Sequence, residues 1–245
     1  MRGVPVIFVR FHAPACQTHD AVPPSRHGRV VILEEVTILL LIRHAVTNAT
    51  GKRLSGSAPG IHLSAKGQEQ AARLADRLKA IPLAGLYASP LERCTETARP
   101  LAASMKLPVE PVPELREVEY GRWTGRPIAQ LSKTSLWKLV HQTPSSVRFP
   151  GGEALAEVQG RSVAALEAIA DEHPGRVVGV VTHADVIRLV LAHFAGVHLD
   201  LFQRLVVSPA SVSAVALGDG IPRILRMNDT GTLSDLAVRP RGKRS

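Results

Sequence analysis

The sequence is poor in aromatic residues, 4% of 245, and has only two cysteines, Cys16 and Cys94. With so few rings there is no basic-aromatic stripe on which bases would stack, so nucleic acid is a poor candidate partner. Two cysteines in segments of unlike character cannot build a disulfide framework, and a reducing, cytoplasmic setting is expected. No apolar run approaches the ~18 residues of a membrane span, so no membrane partner is expected. The N-terminal VPVIFV is too short for a secretory core and is broken by Arg10 and His12, which makes Ala15-Cys16 a poor lipoprotein site.

Acidic residues are also in short supply, 21 against 30 lysines and arginines, for a net charge of +9. The excess is uneven. Arg239, Arg241, Lys243 and Arg244 account for +4 and residues 1–34 for +2, leaving +3 on residues 35–238. A small anionic substrate suits that body better than a polyanion.

What the chain does have is 45% hydrophobic residues, ample for the core of one large α/β domain or two small ones. Residues 1–34 lack a period and contain Pro5, Pro14, Pro23 and Pro24. They are expected to be a disordered extension, or translated sequence upstream of a start near Val36. Residues 35–237 are the expected folded domain, and 238–245 a basic, disordered tail.

The most informative stretch is Thr37 to Thr50, TILLLIRHAVTNAT. A short aliphatic run bounded by turn formers predicts a strand buried on both faces, as inside a parallel sheet. His44 then sits at a strand's carboxyl end, the edge where open α/β sheets bind ligands. An arginine beside a histidine there can hold an anion and attack it, although such a dipeptide alone is more often just a polar strand ending. Arg26-His27 is a second such pair, but Pro23-Pro24 precedes it and no strand delivers it.

Ser64 is a plausible N-cap for an amphipathic helix through Ala71, Leu74, Ala75 and Leu78. Leu86-Tyr87-Ala88 predicts a strand, with Ser89-Pro90 as N-cap and first residue of a helix to about Met105. Arg93 falls in that helix's first turn, where N–H groups and dipole favour an anion; otherwise it is a solvated arginine. Glu117 and Glu119 lie in a loop closed by Gly121 and Gly125, where loop acids are ordinarily solvated and one is alternatively a proton donor. Residues 128–149 are weakly patterned. Glu153 to Glu172 predicts a helix, Val177 to Val181 a strand, and Val186 to Phe194 a helix. His183 thus stands at a second strand end. Val206-Val207, Val212 to Leu217 and Ile221 to Leu225 predict further strands, the last two a hairpin around Gly218-Asp219-Gly220.

LIRHAVT, LSAKGQEQA, YASPLERCTETA, LREVEYGRWTG, PGGE and VTHADVIR, in this order and spacing, resemble the histidine phosphatase (phosphoglycerate mutase-like) superfamily over about residues 37–230. The resemblance implies an α/β three-layer sandwich with a mainly parallel central sheet flanked by helices. It implies His44 as the nucleophile that becomes phosphohistidine, Arg43, Arg93 and His183 as the phosphate pocket, and Glu117 as acid/base. It implies no metal and no organic cofactor. Thr50 stands where many members have asparagine in the phosphate loop, and is taken as substrate-binding. Ala45 replaces a more frequent glycine, and Ala184-Asp185 a common Gly-Gly. The segment VHLDLFQRLVVSPASVS at 197–213 is most like an unclassified branch near proposed phosphomutases.

The implied activity is metal-independent phosphomonoester hydrolysis, with a small phosphorylated metabolite as substrate. The alternative is a mutase, disfavoured because Arg126 to Phe149 is short for a lid that excludes water. A metal-dependent hydrolase using His183 and Asp185 lacks a third ligand, and a silent phospho-ligand binding module is disfavoured because every charged motif position is filled.

Overall fold

The computed structural model describes residues 36–218 and 220–231. The extension at 1–34 with Arg26-His27 and Cys16, and the tail at 238–245, lie outside the described residues.

One six-stranded sheet carries the fold, in the order β3-β2-β4-β1-β5-β6. Strands β1 (Thr37–Arg43), β2 (Leu83–Ala88), β3 (Glu110–Pro111) and β4 (Val177–Thr182) pair in parallel, whereas β5 (Val212–Leu217) runs antiparallel to β1 and β6 (Arg223–Asp229). All six residues of β4 are buried, which is why its sequence reads as an unbroken apolar run.

Successive side chains of a strand face opposite ways, and the sheet sorts them into two cores. Leu40 and Ile42 of β1 pack with Leu74 of α1 (Ala65–Leu78) and with Cys94, Ala98 and Leu101 of α2 (Glu92–Met105). Leu39 and Leu41 face α5 (Leu155–Glu172) and α6 (Ala184–Phe194) through Leu166, Ile187 and Leu191. Helices on both faces of a mainly parallel sheet make the three-layer sandwich expected from the sequence.

Ser64 caps α1, its Oγ accepting from Gly67 N at 3.2 Å. Gly67 has to be glycine because a Cβ there would lie 2.0 Å from the Val46 carbonyl; the helix is thereby held against the loop that follows His44.

Three expectations need correction, and one weakly patterned stretch gains a structure. The helix after β2 starts at Glu92 with Leu91 as N-cap, so Ser89-Pro90 is not its start. Ser89 is instead part of the site described below. Val206-Val207 is not a strand: Val206 is exposed, and the short segment is turned by Pro209 and by Ala210 at φ 56°. The last strand begins at Arg223 rather than Ile221, whose side chain is exposed. The weakly patterned 128–149 is folded, as α3 (Ile128–Leu131), α4 (Ser135–Gln142) and a 3-10 turn at Pro144–Ser146. Its Leu131, Val140, Val147 and Phe149 join a third core with Tyr120, Trp123 and Val186. These elements are too short to show a helical period, and that core forms only once they meet α5 and α6.

Candidate active site

Register brings the site together. Arg43 pairs with Thr182, and Ala88 with Val181, so β1, β4 and β2 end side by side. The ladder continues one step further: His44 N donates to Thr182 O at 2.9 Å and Ser89 N to Val181 O at 2.9 Å. His44, His183 and Ser89 therefore leave three adjacent strands at one edge, and all three are buried. The two imidazoles meet edge to face with centroids 5.3 Å apart.

His44 Nδ1 lies 2.8 Å from the carbonyl of Ala45. A carbonyl only accepts, so Nδ1 carries the proton and Nε2 keeps its lone pair. Burial, then the charges of Arg93 and Arg43, lower the pKa of His44 to about 3. The ring is neutral at any ordinary pH. His183 is likewise held well below its usual value by burial and Arg93. Its Nε2 is 2.8 Å from Ser89 Oγ and 3.4 Å from Cys94 Sγ, and burial pushes the Cys94 thiol up so that it stays protonated.

Arg93 is 1% exposed in the first turn of α2, bonded to the carbonyl of Gly56 at 2.6 Å. Thr97, one turn on, accepts from Ala45 N at 3.0 Å and donates to Arg93 O at 2.6 Å, tying the histidine loop to the arginine's helix. Arg43 donates to Val207 O at 2.6 Å, while its Nε is buried without a partner among the described residues. A buried donor left unpaired costs about 1–3 kcal/mol, and an anion's oxygen at this position would satisfy it.

Glu117 arrives on a braced loop. Thr182 Oγ1 donates to Leu115 O at 2.7 Å, and Arg161 donates to the carbonyls of Glu114 and Arg116, the latter at 2.9 Å. Arg161 is itself held by Glu153 at 2.8 Å, and Glu153 accepts from Glu119 N at 2.9 Å. Burial first, then the negative charge of Asp185, push Glu117 up to about 7 against the pull of Arg93 and Arg43. Asp185 accepts from Tyr120 Oη at 2.6 Å and from Arg188 at 2.9 Å. Glu119 is tied differently, accepting from Ser57 Oγ and from Gly121 N at 3.3 Å.

Of the sequence candidates, the fold gathers Arg43, His44, Arg93, Glu117 and His183 about one strand edge. Thr50 is turned inward on its own loop, where its Oγ1 accepts from Thr47 N at 3.0 Å. Ser89, expected only as a helix cap, and Thr97, Glu153 and Arg161 are not among the site residues expected from the sequence. PGGE carried a signal for Glu153 through its motif, whereas the others become visible only when distant segments meet. Among the described residues no group of three or more His, Cys, Asp or Glu is placed to hold a metal ion, so the metal-hydrolase reading finds no ligand set there. No helix among them is long and apolar enough to cross a membrane.

A neutral, oriented imidazole, two guanidiniums and a carboxyl group poised near neutrality make an arrangement suited to phosphoryl transfer. Residues 39–230 match the model of the histidine phosphatase superfamily, branch 1. The chain belongs to the histidine phosphatase superfamily. It is similar to phosphoserine phosphatase 1 of Hydrogenobacter thermophilus, 30% identical over 204 residues, which span 82% of this chain and 96% of the relative. It is also similar to a metal-independent phosphoserine phosphatase of Arabidopsis thaliana, 32% identical over 226 residues, 87% and 90% of the two chains. Among solved structures, Bacillus stearothermophilus YhfR superposes with a TM-score of 0.75 at 29% identity, covering 80% of this chain and 98% of the other. The chain is thus a phosphatase of this superfamily.

Proposed function

We propose that the protein hydrolyses a small anionic phosphate ester through a phosphohistidine on His44, without a metal ion or organic cofactor. The observation that carries this reading is the hydrogen bond from His44 Nδ1 to Ala45 O, which leaves Nε2 as a nucleophile beside Arg43 and Arg93. In the first step Nε2 attacks phosphorus and the bond from phosphorus to the ester oxygen breaks. Glu117, with its raised pKa, gives its proton to the departing alkoxide. Arg43, Arg93 and His183 stabilise the charge on the equatorial oxygens with donors already in place. In the second step Glu117, now a carboxylate, takes a proton from water as that water attacks phosphorus; the N–P bond breaks, and inorganic phosphate leaves. Thr50 acts through the loop after His44, which its hydroxyl orders by accepting from Thr47 N.

Residues 35–237 are the catalytic unit of this reading, and its setting is the cytoplasm. The phosphoserine phosphatases among the relatives make O-phosphoserine the first natural ester to try. The test is phosphate release from p-nitrophenyl phosphate and O-phosphoserine in EDTA, set against isomerisation of 3-phosphoglycerate with and without 2,3-bisphosphoglycerate. Metal-independent release lost in His44→Ala is expected; isomerisation that depends on the bisphosphate and outpaces release would make the protein a mutase.

A further inference from the structure

Beside the phosphoryl site lies a cavity of about 450 Å³ that the reaction as described does not use. Part of its wall comes from residues 128–149, through Trp137, Val140, His141 and Phe149. Trp137 of α4 stacks on Trp123 with centroids 6.0 Å apart, and Phe149 meets Trp123 edge-on at 5.6 Å. Because the rings brace one another, the wall exists before any ligand arrives. Leu54 and Leu155 add aliphatic surface.

The cavity's charges are already matched. Asp185 is paired with Arg188 at 2.9 Å and accepts from Tyr120 at 2.6 Å. Arg188 also donates to Leu205 O at 3.0 Å, and the Gln203 amide donates to Val140 O at 3.1 Å. Apart from the exposed His141, whose Nδ1 donates to Trp137 O at 2.9 Å, the lining therefore offers neither a surplus cation for a carboxylate nor a surplus anion for an ammonium group. The carboxylate of a serine or glycerate remainder would meet the indole faces and lose hydration without replacement, a loss that contact of a serine ammonium with an indole offsets only in part. A neutral ring would instead gain burial and stacking.

Two of the cavity's lining residues tie it to the chemistry. Tyr120 and Asp185 line it, Tyr120 follows Glu117 by three residues, and the charge of Asp185 acts on both Glu117 and Arg43. None of Arg43, His44, Arg93, Glu117 and His183 lines the cavity itself, and Asp185 is the link between the two. We propose that this cavity receives the leaving group, and that the preferred substrate is the phosphate monoester of a neutral, ring-bearing alcohol rather than of a small amino or carboxylic acid. The inference rests on the phosphatase reading above and adds the substrate class to it.

The test compares kcat/KM, by phosphate release, for 2-(1-naphthyl)ethyl phosphate, ethyl phosphate and O-phosphoserine, all alkyl esters that need a protonated leaving group. The naphthylethyl ester is expected to exceed O-phosphoserine by about tenfold or more. Its advantage over ethyl phosphate should fall about tenfold in Trp137→Ala and be kept in Trp137→Phe. Gln203→Trp, which fills the cavity without opening the core, should remove the same advantage if Trp137→Ala fails to fold. O-Phosphoserine equal to or better than the ring ester, or a ratio unmoved by filling the cavity, would overturn the proposal while leaving the phosphatase reading intact. Failure to release phosphate from any of the three would overturn both.

Discussion

The rings of His44 and His183 meet edge to face with centroids 5.3 Å apart, two neutral imidazoles enclosed beside the cations Arg43 and Arg93. Their orientations have different causes. His44 is fixed by its own chain, through the Ala45 carbonyl, and His183 by a hydroxyl from another strand, Ser89.

That difference predicts a role for Ser89. Donation from Ser89 Oγ to Nε2 would leave His183 Nδ1 protonated, with the Cys94 sulfur 3.8 Å away as a weak partner that a phosphoryl oxygen would replace. Ser89→Ala should lower kcat by about tenfold, the worth of roughly one hydrogen bond, with little change in KM. A variant with unchanged kcat would show that packing alone orients His183.

The two arginines should separate on stability. Arg43→Ala should lose on the order of 3–4 kcal/mol of transition-state stabilisation, as for a preorganised oxyanion donor, with its circular dichroism unchanged. Arg93→Ala should lose a similar amount of activity. It should also be about 1–3 kcal/mol less stable in urea, because its fully buried guanidinium holds the Gly56 carbonyl, whereas the bond that Arg43 makes to Val207 O is offset by its own buried, unpaired Nε. Equal stability of the two variants would contradict the structural part of this account.

Glu117 sets the alkaline limb. The first step needs its proton, and with its pKa near 7 the kcat/KM for an alkyl phosphate should decline above about pH 7. Glu117→Gln should remove that limb and depress alkyl esters far more than p-nitrophenyl phosphate, whose leaving group needs little protonation. Glu119→Gln should do little to that ratio. Equal losses on both ester types in Glu117→Gln would assign Glu117 to positioning.

The same shift predicts a stability change of known sign. Glu117 titrates near 4.5 when unfolded and near 7 when folded, so the folded state holds a proton that the unfolded state has released between these values. Stability from this group is present below about pH 4.5 and is lost as pH rises to 7. Glu117→Gln should then be more stable than the parent at pH 8, by on the order of 2–3 kcal/mol, and nearly equal to it at pH 4.5. Urea midpoints at the two pH values check this, and a gap that widens on acidification would contradict it.

The parts of the site legible in the sequence were those encoded within one segment. An apolar run ending in Arg43-His44, and another ending in Thr182-His183, each announce a buried strand with a histidine at its carboxyl end. Arg93 was legible because the start of its helix was nearly so. Ser89 was read as that helix's cap because serine before proline has that meaning locally, yet its hydroxyl is turned to His183, 94 residues away. The clamp of Arg161 and Glu153 on the Glu117 loop, and the pairing of Asp185 with Tyr120 and Arg188, also depend on segments that meet only in the folded chain. The indole wall was hidden for a related reason: α3 and α4 are short, and Trp123, on which Trp137 stacks, lies in another element.

The central claim is that His44 carries the phosphoryl group between the two steps, and trapping it is the most direct test. Protein mixed with excess 32P-labelled ester and quenched within milliseconds in alkali should hold acid-labile, alkali-stable label on the peptide containing His44. The label should appear and decay at rates compatible with turnover, in the presence of EDTA. Turnover with no label on His44, or label on another residue at a competent rate, would contradict the account.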